Sequence, residues 1–174
     1  MTQDIPEIEP DEATGTHADI LHRLLKLSNK LLAPFSMHLE QQYKISVNEF
    51  RLLMLIGRYP GCASHELADM TGVSAMSVSR AVFALERNDR IRVERDPQNK
   101  RRKRLTLTEE GERLFRIMEP QSGQVADYLM SNLLPHEVAM FDHILKILID
   151  TLEATDEDGN SLFLERTRPQ ENGE

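Results

Sequence analysis

From Thr16 onward apolar residues recur at helical spacing. Ile20, Leu24, Leu27, Leu31 and Phe35 fall three or four apart, and Leu21, Leu25 and Leu32 widen the stripe. The pattern predicts a first helix capped by Thr16 with Asp19, and kinked or broken at Pro34. A stripe this wide suggests burial against more than its own chain, hence a dimer. Ser46-Val47-Asn48-Glu49 reads as a capping box that opens a helix over residues 47–58. Phe50, Leu53, Met54 and Ile56 form its buried face, and Pro60-Gly61 ends it. Ser64 caps a short helix to about Met70 with Leu67 and Ala68 inward, and Thr71-Gly72-Val73 is the turn after it. Gly72 supplies the positive φ that a tight turn between helices needs. Ser74 begins the next helix, to about Asn88. On it Val82 and Leu85 fall within about 40° of Val78, so these three define an inner stripe. Met76, Arg80 and Arg87 lie opposite, flanked by Ser77, Ser79 and Phe83.

The period then changes. Residues 91–95 and 104–108 alternate apolar with polar or charged positions, as strands do. Asp96-Pro97-Gln98-Asn99 between them is a turn sequence, and Lys100, Arg101, Arg102 and Lys103 follow it. Thr108 with Glu109 and Glu110 caps a long helix whose apolar side holds Leu114, Ile117, Met118, Val125, Tyr128, Leu129 and Leu133, with a bend expected at Pro120. Pro135 opens a last helix with another wide stripe, from Val138 to Leu152. The implied fold is mainly α with a small β-hairpin wing: a winged helix-turn-helix between N- and C-terminal dimerisation helices. Residues 1–15 read as a flexible acidic tail, 16–45 and 109–153 as dimerisation helices, 46–108 as the winged helix-turn-helix lobe, and 154–174 as an acidic C-terminal tail. In that last tail only Leu162-Phe163-Leu164 looks able to dock.

A net charge of −8 argues at first against a polyanionic partner. Its distribution reverses the inference. Residues 1–15 and 153–174 each sum to −5, leaving +2 for 16–152, and residues 90–104 hold eight Lys or Arg against two acids. Binding follows the local field more than the total charge, so duplex DNA is the expected partner. Small and hydroxylated residues at the start of the second helix let a backbone approach the major groove, and Arg80 can reach a guanine edge or a phosphate. A cationic hairpin tip suits a narrow minor groove or the phosphates beside it. The DNA-facing set is Ser64, Ser74, Met76, Ser77, Ser79, Arg80, Arg87, Lys100, Arg101, Arg102 and Lys103.

These residues resemble the MarR (multiple-antibiotic-resistance regulator) family of winged-helix transcription factors. The likeness spans roughly residues 20–150 and rests on the ELA…GVS…SR…LE run from Glu66 to Glu86 and the RDP…R…L-x-LT-x-x-G run from Arg95 to Gly111. It implies a homodimer with intertwined first and last helices, acting on a pseudo-palindromic operator, and a repressor released by a small aromatic or phenolic effector. It also assigns recognition-helix contacts to Ser77 and Arg80, and the wing-tip contact to Arg101. Phe35, His38, Arg51 and Arg58 lie near where the family keeps its effector pocket, and an arginine there can pair with a carboxylate ligand. Two departures stand out. Asn99-Lys100-Arg101 replaces the family's Asp-Arg-Arg, which weakens an expected lock on the loop, and Asp89 replaces the glycine that commonly ends the recognition helix.

Other chemistry has little support. No phosphate-cradling glycine loop and no G-x-S-x-G elbow is present, so no catalytic residue and no enzyme activity are expected. His17 and His22 are five apart, His136 and His143 seven apart, and His65-Glu66 lacks the second His of a zinc motif, so no metal or other cofactor is expected. A single cysteine, Cys62, suits a reducing cytoplasm, and no run is long and apolar enough for a membrane span. Two alternatives remain: a thiol switch at Cys62, or a ligand- or protein-binding adaptor whose acidic tails shield the wing.

Overall fold

A computed structural model describes residues 16–97 and 102–169. Among the described residues the chain forms α1 (His17–Tyr43), α2 (Val47–Arg58), α3 (Ser64–Thr71), α4 (Ala75–Arg87), β1 (Ile91–Arg95), β2 (Lys103–Leu107), α5 (Glu109–Met130), α6 (Pro135–Glu153) and α7 (Leu162–Thr167). Two compact units divide it, one ending at Glu119 and one beginning at Pro120.

Local signals set most boundaries in the first unit. The Thr16 hydroxyl accepts from Asp19 N–H and the Asp19 carboxylate accepts from Thr16 N–H, a reciprocal cap on α1. Ser46 and Glu49 do the same for α2. The break foreseen at Pro34 does not occur, and α1 runs on through it. Proline frees the carbonyl four residues earlier, here on exposed Lys30, where water can take the place of the lost hydrogen bond. Pro120 likewise interrupts nothing in α5. The core joins α2, α3, α4, both strands and the start of α5, with Leu52, Leu53, Ile56, Leu67, Val78, Leu85, Leu105 and Met118 inaccessible to water. The antiparallel hairpin pairs Ile91 with Leu107 and Arg95 with Lys103. An isolated bridge, Cys62 to Leu105, adds a one-residue third strand beside β2, just ahead of α3.

In the second unit Glu137 accepts from Leu134 N–H as Pro135 begins α6. The residues after α6 fold back on themselves. A bridge joins Thr155 to Ser161, and Ser161 caps α7, which packs on α6. No helix among the described residues is long and apolar enough to cross a membrane.

Much apolar surface stays open on α1 and α6. Ile20, Leu21 and Leu25 are more than half exposed, as are Met140 and Leu152. Scattered apolar residues on a surface are ordinary, but contiguous helical stripes of this length are the mark of an interaction face.

Candidate nucleic-acid interface

The helix-turn-helix is α3, its turn and α4. The sequence points to Ser64 as the cap of α3, but the cap residue is Ala63, and Ser64 is the first, half-buried helical position. Ala63 has no side-chain acceptor, so the Glu66 carboxylate accepts from Ala63 N–H instead, at 2.7 Å. α3 stops at Gly72, whose φ of 64° is left-handed and whose N–H donates to Ala68 O. Ser74 caps α4. Its oxygen accepts from Ser77 N–H at 3.3 Å, and its hydroxyl donates to Ser77 Oγ at 3.0 Å.

α4 sorts its side chains cleanly. Val78, Ala81 and Leu85 are buried, while Met76 and Phe83 remain 65% and 63% exposed. Ser79, Arg80 and Arg87 are exposed and Ser77 is half-buried. The Arg80 guanidinium lies along the helix and donates to Met76 Sδ at 3.4 Å. Asp89, just beyond the helix, takes the left-handed conformation at φ 55° where the resembled family favours glycine.

The hairpin's cations divide three ways. Arg92, Arg95, Lys103 and Arg104 are exposed. Arg90 is buried, and Arg102, its side chain about 35% exposed, is paired with acids. Lys100 and Arg101, the latter the expected wing-tip contact, lie outside the described residues. The guanidinium of Arg102 reaches Glu66 Oε1 at 2.7 Å and Asp96 Oδ2 at 3.5 Å, and its buried Nε has no hydrogen-bond partner among the described residues. With Asp96 N–H bonded to Arg102 O at 2.9 Å, this clasp ties the base of the hairpin to α3. The hairpin thus carries a charged lock, made by Arg102 with Asp96 and Glu66. The Ala63 N–H, with help from Arg102, holds the Glu66 carboxyl below the usual range, so it stays ionised at neutral pH.

Cys62 is 6% exposed, and its backbone forms the extra rung by accepting from Leu105 N–H. Burial, and then the Glu66 carboxylate, push its thiol up against smaller opposing effects of its own backbone and of Arg102. A protonated, covered thiol is a poor nucleophile. We therefore expect native protein to resist iodoacetamide at neutral pH, with labelling seen by mass spectrometry only after denaturation. Rapid native labelling would restore the thiol-switch alternative.

The four residues placed near an effector pocket make separate contacts. Phe35 meets Phe50 edge-on at 4.9 Å and His38 faces Tyr43 at 6.0 Å. Arg51 is half-buried on α2, and Arg58 lies 3.6 Å from Glu119. A groove of about 480 Å³ opens instead between α2, β2 and α5, walled by Ile56, Leu107 and Phe115 and carrying Glu112 and Arg116.

Residues 45–103 match the model of the MarR family. The chain is similar to FabT of Streptococcus pneumoniae, solved in complex with DNA, at 22% identity and a TM-score of 0.66, covering 78% of this chain and 96% of that one. It is similar to a MarR family transcriptional regulator of Listeria monocytogenes, solved with a 26mer DNA, at 20% identity and a TM-score of 0.74, covering 87% and 97%. A MarR/EmrR family regulator of Acinetobacter sp. ADP1 is 24% identical with a TM-score of 0.72, covering 78% and 96%. At these identities the likeness establishes the winged helix-turn-helix fold. No curated protein matches the chain by sequence.

Proposed function

We propose that this chain, whose residues 45–103 match the MarR family model, is a DNA-binding transcriptional regulator of that family that acts as a homodimer on a pseudo-palindromic operator. The observation that carries the reading is the division of α4. One face is core, and the other presents Met76, Ser79, Arg80 and Arg87 to solvent beside a hairpin bearing Arg92, Arg95, Lys103 and Arg104. Short side chains and one long donor suit a major groove, and the hairpin cations suit phosphates. Arg101 is assigned the wing-tip contact and Lys100 a neighbouring phosphate. The open stripes on α1 and α6 support the dimer, because a second copy would cover them.

The finer reading is a repressor released by a small effector, for which an aromatic carboxylate is the proposed class. The groove beside Arg116 and the half-buried Arg51 offer guanidinium partners for it. Binding would favour a spacing of the two recognition helices that no longer matches the operator.

The test uses duplex DNA from the region upstream of the chain's own gene. We expect sedimentation as a dimer and a gel shift whose log affinity falls linearly with log salt, with a slope of about −4 or steeper, near one unit per phosphate contacted. Benzoate, as a probe of the effector class, should weaken the shift. A monomer, or indifference to the duplex in dilute salt, would overturn the reading.

A further inference from the structure

Arg90 is the least expected residue in the lobe: an arginine that is 9% exposed, at the junction of four elements. Its backbone N–H donates to Leu85 O at the end of α4, and its carbonyl accepts from Thr108 N–H where α5 begins. Its guanidinium donates from Nη2 to Tyr43 O at 2.8 Å and from Nη1 to Lys44 O at 3.1 Å. Nη1 also stands 3.8 Å from Glu49 Oε1, on the carboxylate that caps α2. The last turn of α1 holds no basic residue of its own. Arg90 therefore supplies from a distant part of the chain both the donors for the terminal carbonyls of α1 and the cation that a helix C-terminus favours.

We propose that Arg90 is a positioning residue that sets α4 against α1, so that movement of α1 is passed directly to the recognition helix. Only one residue, Asp89, separates Asn88 at the end of α4 from the side chain that grips the end of α1. Arg90 is itself hydrogen-bonded by its backbone to α4, so the two helix ends have few torsions through which to part. The guanidinium fork spans two adjacent carbonyls, which fixes direction as well as distance, as a single-point contact would not. The role in DNA binding rests on the function proposed above, whereas the mechanical link itself does not.

The test separates these. In a Cys62→Ser background, nitroxide labels at exposed Glu40→Cys and Glu86→Cys report the α1–α4 distance by electron resonance. We expect one narrow distribution for Arg90, a broader or shifted one for Arg90→Met, and an intermediate one for Arg90→Lys, whose ammonium keeps charge but not the fork. An unchanged distribution in the methionine variant overturns the proposal; should that variant fail to fold, the lysine variant decides. On DNA, folded Arg90→Met should lose about tenfold or more affinity for the duplex with both half-sites and keep wild-type affinity for one half-site. Equal losses on both duplexes would indicate a role in stability alone and overturn it. Failure of the wild type to bind any duplex would refute the proposed function and leave the label distances to judge Arg90.

Discussion

Replacing Arg80 by alanine is expected to lower affinity for the upstream duplex roughly a thousandfold while leaving the fold intact. Arg80 stands exposed on α4, and among the described residues its guanidinium is held only by Met76 Sδ at 3.4 Å, so little is given up when it turns toward a base. A bidentate arginine contact to guanine contributes about 2 kcal/mol of discrimination, and a dimer uses two copies, giving about 4 kcal/mol or close to three decades in affinity. Arginine and alanine are both good helix formers, so thermal unfolding should move little. Gel shifts with matched melting curves check both halves. Unchanged affinity would remove Arg80 from the interface.

Gly111→Ala should destabilise the lobe by about 3 kcal/mol, against the usual sign for this exchange in a helix. In an open helical position glycine costs about 1 kcal/mol relative to alanine, so the exchange ordinarily stabilises. At Gly111 the new methyl would strike the carbonyl oxygen of Arg90, a backbone atom already accepting from Thr108 N–H. Gly111 N–H also donates to the Thr108 hydroxyl at 3.1 Å, so α5 cannot back away without losing its cap. Overpacking against backbone of this kind costs about 1–3 kcal/mol or more. Gly123, in the same helix, is the internal control. Nothing among the described residues lies within 4 Å of its added methyl, and Gly123→Ala should gain about 1 kcal/mol. Chemical denaturation of the three proteins gives the comparison. A stable Gly111→Ala protein would show that α5 and the Arg90 backbone are not locked together there.

Much of the lobe was legible because its signals are local. The Ser46–Glu49 box, the Gly72 turn and the Ser74 cap each depend on residues a few positions apart and appear where the spacing predicts. Of the α4 stripe Val78 and Leu85 are buried as expected, whereas Ala81 takes the place in the core expected of Val82, which is only partly buried. The residues that surprise do so through distant partners. A run of four cations at 100–103 gives no sign that Arg102 finds Glu66, thirty-six residues earlier. Arg90 reads as one more charge in a basic stretch, although its partners are carbonyls at positions 43 and 44, which no side-chain pattern reveals. The Cys62 rung is a single residue long and has no period. At Ala63 the cap comes from the other half of a capping box, Glu66, which a search for hydroxyl caps passes over. Pro34 does not end α1, because exposed helix surface tolerates an unpaired carbonyl.

The hairpin's base is fastened to the helix-turn-helix by a backbone rung at Leu105 and by the Arg102 clasp on Glu66 and Asp96. A bracket fixed in this way cannot flex to follow a straight rod. In the complex proposed above, the elastic work of fitting both helix and hairpin would fall on the nucleic acid. Curving 20–30 base pairs by 40–90° takes roughly 1–6 kcal/mol, and the amount depends on the steps being bent. Pliable pyrimidine–purine steps at the points of flexure would then be selected even where no side chain reaches them.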